Sequence, residues 1–335
     1  MQTMKSKSFV IRIIAVAMLG HGLLARGEDV ATPVIRADAN GLLTATSQTP
    51  GAVIRYNLSG RPPTKDDGVW LSPVELPPGY KLVARAFLPD STNQSGVVST
   101  NAEAIAGVAL RSSALVPVTQ NRDWRTYDWA ERHAACVALM KARKPEIVML
   151  GDSITHFWGG EPVSGRRTGT NEWNRLFAGR RVVNIGYGWD RTENVLWRLT
   201  HGEFDDVSPE VVVVMIGTNN MGLNTPEEIA AGIEAICNEI HRRSSRTRIL
   251  LLGIFPRGQK PDATRAKVAE VNQRIAQLDG KSGVTYLDIG GKFLEADGSI
   301  SREVMDDFLH PTAKGYVIWA EAMEPTLRRL LVKQN

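Results

Sequence analysis

Glu146-Ile147-Val148-Met149-Leu150-Gly151-Asp152-Ser153-Ile154-Thr155 sets an unbroken apolar run against a Gly-Asp turn. A run of that kind suits a strand buried on both faces, because a strand with one wet face alternates apolar and polar residues. Further apolar runs follow at 182–185, 211–216, 249–254 and 285–289. Between and around them, helical periodicity marks 126–143, 192–200, 226–244, 263–278 and a last segment at 312–331. Strands alternating with helices predict an α/β fold, a doubly wound parallel sheet covered on both faces, over residues 123–335. Ligands of such sheets bind beyond the carboxyl ends of the strands. Side chains that do chemistry are therefore expected just after each apolar run.

Ser153 occupies that place after the first run. A serine at a strand–helix junction ordinarily caps the helix, so the position alone does not make it a nucleophile. Nor is the run the GxSxG turn of α/β-hydrolases, since Thr155 stands where the second glycine belongs. The second strand ends in Asn184-Ile185-Gly186-Tyr187-Gly188-Trp189-Asp190-Arg191. Gly186 has no Cβ, so its N–H can approach a bound oxyanion. The third ends in Gly217-Thr218-Asn219-Asn220, where the Asn219 amide offers another donor. Before the last helix comes Asp306-Asp307-Phe308-Leu309-His310-Pro311. Asp307 three residues before His310 can fix the imidazole tautomer and stabilise the imidazolium, with Asp306 turned to solvent. His156 follows Ser153 by one helical turn but has no adjacent carboxylate, and reads as a surface or pocket residue. His133, His201 and His241 read as solvated. Asp152, and Asp190 paired with Arg191, read as supports, the pair holding the Gly186 loop.

Gly151-Asp152-Ser153, Gly186, Gly217-Thr218-Asn219 and Asp307-x-x-His310 resemble, in order and position, the four blocks of the SGNH (GDSL-type) hydrolases. The runs NIGYGWDRTENVLWRL, GTNN, LLGIFPRG and FLHPTAKGY bring the likeness closer to the platelet-activating-factor-acetylhydrolase-like branch. The resemblance covers about residues 120–335 and implies a flavodoxin-like sheet. It also implies Ser153 as nucleophile, His310 as base and Asp307 as its orienting partner. The Ser153 N–H, the Gly186 N–H and the Asn219 side chain would form the oxyanion hole.

The rest of the 335-residue chain reads differently. Lys5 and Lys7 precede an apolar stretch at 9–25 with a polar exit at Glu28-Asp29, the pattern of a cleaved export signal over residues 1–27. Arg12, His21 and the short apolar length argue against a stable membrane span. Four of the 40 Lys and Arg lie in this leader and none of the 36 acids does, so the mature chain balances 36 against 36. The formal charge of +4 therefore gives no reason to expect a nucleic-acid partner. Residues 28–107 carry short strand-like runs such as Val53-Ile54-Arg55-Tyr56-Asn57-Leu58, separated by Ser59-Gly60-Arg61-Pro62-Pro63-Thr64 and Pro77-Pro78-Gly79. Turn chemistry at that spacing predicts a small all-β sandwich, joined through a linker at 108–122. The order IRYNLSGRPPT, VWLSPVEL, YKLVARAFLPD resembles the small β-domain at the C-termini of chitobiases and hexosaminidases, implying an accessory module. Cys136 and Cys237 sit in apolar helical surroundings as buried small side chains, and no metal-ligand or cofactor motif is present.

Trp158 and Trp189, beside glycines on the candidate loops, are expected to wall the substrate site. With export and the accessory module, they favour a small acyl ester on carbohydrate, an acetyl group above all. A lipid esterase of the lysophospholipase kind is the alternative. A non-catalytic carbohydrate-binding protein is the competing class, against which the intact Ser153, Asn219, Asp307 and His310 argue.

Overall fold

The protein is described by a computed structural model covering residues 14–16, 29–89, 91–103 and 110–332. Apart from 14–16, the predicted leader lies outside the described residues. The chain divides into two compact units, residues 1–111 with 119–122, and residues 112–118 with 123–335.

The first unit is all β. Strands β1 (Ile14–Val16), β2 (Val34–Ala37), β3 (Leu43–Thr46), β4 (Val53–Asn57), β5 (Gly68–Val69), β6 (Lys81–Phe87) and β7 (Gln94–Asn101) form two sheets. The larger is antiparallel in the order β1-β7-β6-β4-β5, and β2 pairs with β3 alone. Leu43, Tyr56, Leu82, Ala84 and Ala86 are among its buried apolar residues, and the Arg61–Asp67 pair (2.7 and 2.8 Å) ties the turn after β4. The stretch read as a linker is shared out. Thr119 Oγ1 donates to Val69 O (2.7 Å) in this unit, while Thr192 Oγ1 donates to Ala114 O (2.9 Å) in the other.

The second unit is the doubly wound sheet. Strands β8 (Ile147–Gly151), β9 (Val182–Gly186), β10 (Val211–Met215), β11 (Arg248–Leu252) and β12 (Val284–Leu287) run parallel in the order β12-β11-β10-β8-β9. That is the flavodoxin-like order, with its reversal between β8 and β10. Every residue of β8, β9 and β10 is buried, the polar Asn184 of β9 included. Alternate residues serve opposite faces. Val148 and Leu150 pack against α1 (Trp129–Arg143), whereas Ile147 and Met149 join the cluster on the opposite face, beside Trp158. Each such side chain contributes about 1.5–3 kcal/mol by leaving water.

Helices α2 (Ser153–His156), α3 (Thr170–Leu176), α4 (Thr192–Arg198), α5 (Pro226–Arg243), α6 (Ala263–Ile275) and α7 (Ala313–Leu331) complete the unit. Their starts are local chemistry. Thr225 and Glu228 form a capping box before Pro226, and Asp262 and Thr312 cap α6 and α7. The sequence did not announce α2 and α3, whose one or two turns are too short to show a period. No helix among the described residues is long and apolar enough to cross a membrane.

Candidate active site

The end of β8 turns into α2 in a tight space. Asp152 caps the helix, its Oδ1 accepting from the Ile154 N–H (3.0 Å), and places Ser153 at the first helical position. A Cβ on Gly151 would collide with Thr155 Oγ1 and the Met215 carbonyl, so only glycine lets the turn tuck between the strand ends. The Tyr316 hydroxyl of α7 pins the turn from below through Ile154 O (2.7 Å).

Ser153 faces the loop before α7. Its Oγ lies 2.8 Å from His310 Nε2, and His310 Nδ1 lies 2.6 Å from Asp307 Oδ2. The same carboxylate accepts from the backbone N–H groups of Leu309 (3.0 Å) and His310 (2.7 Å) through Oδ1. Phe308 makes this turn possible by taking φ of +59°, rare for a side chain of its size. Burial pushes the His310 pKa below its ordinary value although Asp307 pulls the other way. Burial also acts to raise that of Asp307, but the His310 backbone and ring hydrogen bonds outweigh it and hold the acid ionised. A neutral imidazole beside a carboxylate, with a hydroxyl on its far nitrogen, can take the hydroxyl proton at neutral pH. Asp306 is exposed to solvent.

Asn219 sits on the loop after β10. Gly217 adopts φ of +125°, where a side chain would also strike Ile254, and starts the short turn Thr218–Asn220. Asn219 is gripped from both sides. Its Nδ2 donates to Asp190 O (2.9 Å) while its backbone carbonyl accepts from Arg191 Nε (3.0 Å). One amide hydrogen is thus engaged, and the second is available to an anion in the pocket. Losing a donor of this type typically costs about 10²–10³ in kcat, the expected result for Asn219→Ala in steady-state kinetics with unchanged thermal stability.

Ser153, His310 and Asn219 line one open pocket of about 620 Å³, together with Phe157, Arg166 and Trp189. Trp189 is half exposed and held at φ of +65°, so the predicted wall residue is at the site. Phe157, Arg166 and Arg257 were not anticipated, since a loop arginine in a sequence ordinarily signals no more than a wet surface.

Several expected placements are corrected. Trp158 is fully buried, 4.4 Å from Trp319 and 5.3 Å from Tyr316 ring to ring, because the chain beyond α2 turns it into the core. Gly186 does not present its N–H to the pocket. That N–H donates to Asn184 Oδ1 (2.8 Å), and a Cβ there would collide with the backbone of Thr155 and His156. Its role is to let α2 close against β9, paired in register with Gly151. His156 is buried, not at the surface, and its Nδ1 accepts from the Gly188 N–H (3.1 Å), neutral because burial pushes its pKa well down. Asp190 reaches past Arg191 to Arg198 Nε (2.8 Å) and Trp129 Nε1 (2.8 Å). His133 is buried too, its Nε2–H donating to His201 O (2.8 Å).

Asp152 has a further consequence. It is wholly buried, Oδ2 has no hydrogen-bond partner, and burial raises its pKa to about 7. Because the folded value lies above the unfolded one, its contribution to stability is full below about pH 4 and is lost as pH rises through 7. Asp152→Asn keeps the capping oxygen and removes the ionisation. The melting temperature of this variant relative to wild type should therefore rise between pH 5 and pH 8; a difference flat across that range contradicts the assignment.

The GDSL-like lipase/acylhydrolase family model matches residues 149–318, the span that holds Ser153, Asn219, Asp307 and His310. This chain belongs to that family. Over 204 residues it is 38% identical to subunit alpha2 of platelet-activating factor acetylhydrolase IB from Rattus norvegicus, covering 61% of this chain and 85% of that one. Subunit alpha1 from Homo sapiens is 36% identical over 208 residues, 62% of this chain and 86% of that one. A solved chain from Bacteroides fragilis superposes with a TM-score of 0.50 at 18% identity, covering 62% of this GDSL-family chain and all of that one, a likeness of fold.

Proposed function

We propose that the protein is a serine esterase that removes short acyl groups, chiefly acetyl, from an oxygen ester. The observation that carries this is the hydrogen-bonded line Asp307–His310–Ser153, at 2.6 and 2.8 Å, opening on a pocket. In the reaction His310 Nε2 takes the Ser153 proton as Oγ attacks the ester carbonyl. The oxyanion that forms is met by the Ser153 N–H and the Asn219 amide. Collapse expels the alcohol, protonated by His310, and water attacks the acyl-enzyme by the same route.

The alcohol side is read as carbohydrate. The half-exposed Trp189 ring supports this as a stacking face, and so do the hydroxyls of Thr126, Thr218 and Thr264 along the pocket. A second reading, an acetylated phospholipid, is favoured by the likeness to the platelet-activating factor acetylhydrolase subunits. We read the leader as an export signal, so the enzyme acts outside the cytoplasm. Acetate release from acetylated oligosaccharides and from an acetylated ether phospholipid, matched in concentration, tests the choice. Higher kcat/KM on the saccharides supports the first reading and the reverse order the second.

A further inference from the structure

Arg257 stands on the pocket wall between two cavities, the one that holds Ser153 and a neighbouring one of about 340 Å³ that it also lines. It is half-buried, and no carboxylate among the described residues lies within ion-pair distance of its guanidinium. Its hydrogen bonds leave from one terminal nitrogen, to Thr218 O (3.2 Å) and Thr218 Oγ1 (3.1 Å). The loop beneath it is fixed, with Arg265 Nε donating to the Arg257 carbonyl (3.3 Å). The other cation at the pocket differs. Arg166 lies over the Phe157 ring and is shared between Asp306 (3.7 Å) and Asp307 (4.0 Å).

Asp152 feels the Arg257 charge, and Asp262 and Asp307 line the adjoining cavity, but none forms an ion pair with it. A half-buried guanidinium with no ion-pair contact, facing a substrate cavity, can receive a planar anion, because its fork matches a carboxylate in two parallel hydrogen bonds. We propose that Arg257 receives a carboxylate on the alcohol half of the substrate, so that the preferred esters are acetylated acidic sugars of the uronic-acid class. This rests on the esterase reading above and narrows it. Nε and the second terminal nitrogen bind the carboxylate while the first keeps Thr218, and with it the Asn219 loop, in place.

The test compares acetate release from a mono-O-acetylated methyl glucuronoside and from its primary amide, which has the same shape and no charge. Wild type should favour the acid by about 10-fold or more in kcat/KM, the size expected of hydrogen bonds to a charged group. Raising NaCl to 0.5 M should shrink that ratio. Arg257→Gln should bring it near one and Arg257→Lys should keep part of it, both variants being checked for a wild-type melting transition. A wild-type ratio at or below one overturns the proposal, as does an Arg257→Gln enzyme that keeps the wild-type acid-to-amide ratio. Preference for a matched sugar phosphate over the acid would overturn the carboxylate assignment. Failure of Ser153-dependent hydrolysis on every acetyl ester would instead remove the esterase reading itself.

Discussion

Ser153→Ala is expected to lower kcat for p-nitrophenyl acetate by about four to six orders of magnitude. The variant should still melt within a few degrees of wild type, since one hydroxyl with a single partner is removed from the mouth of a pocket. The size of the loss follows from the geometry. His310 Nε2 has Ser153 Oγ as its hydrogen-bond partner at 2.8 Å, and the alanine leaves the base with no proton to take. Residual turnover would come from the Asn219 amide and the binding pocket alone. A decrease of less than about 10-fold would mean that another group attacks the ester.

The second large effect is on stability. Arg198 is completely buried and holds two buried carboxylates, Asp190 at 2.8 Å and Glu203 at 2.5 Å, while lying over the Tyr187 ring at 3.9 Å. Tyr187 donates its hydroxyl to Glu203 (2.5 Å), and Trp129 donates to Asp190 (2.8 Å). Burial acts to raise the pKa of Glu203, but the Arg198 charge together with the His133 and Tyr187 hydrogen bonds outweighs it, so the acid is ionised in the core. Replacing Arg198 by methionine keeps much of the volume and leaves two carboxylates without a cation. Breaking such an arrangement costs about 3–5 kcal/mol. For a unit of this size that is a fall of roughly 6–20 °C in melting temperature. The catalytic consequence runs through Asp190, whose carbonyl holds the Asn219 amide. Activity of the folded fraction should drop in kcat more than it rises in KM. A melting temperature within about 3 °C of wild type would show that the cluster contributes little.

The sheet was legible because a parallel strand buried on both faces is largely apolar, as 147–150 and 211–216 are throughout, while Asn184 interrupts the second run and Thr285 and Asp288 the last, which forms a half-buried edge strand. Ser153, Asn219, Asp307 and His310 were legible by position, at the strand ends where an open sheet exposes side chains. What the sequence did not disclose was direction. Trp158 follows Ser153 by five residues, yet the turn of chain after α2 carries its ring into the core. Gly186 was read as a donor because a glycine is permissive, but its hydrogen bond to Asn184 and its contact with α2 are tertiary facts. Asp190 and Arg191 are adjacent and opposite in charge, which suggested a pair. The backbone instead sends one inward to Arg198 and the other across to Asn219. Arg257 stood in the run LLGIFPRG only as part of a likeness, since its role depends on the charges and cavities that the fold brings around it.

Ser153 acts as an activated nucleophile only if its Oγ is deprotonated by His310 in the folded protein. Incubation with a fluorophosphonate, followed by intact-mass and peptide mass spectrometry, tests this directly. The expected result is a single time-dependent adduct on Ser153, absent from Ser153→Ala and strongly slowed in His310→Ala. An adduct on a different residue, or none while the protein remains folded and hydrolyses p-nitrophenyl acetate, would contradict it.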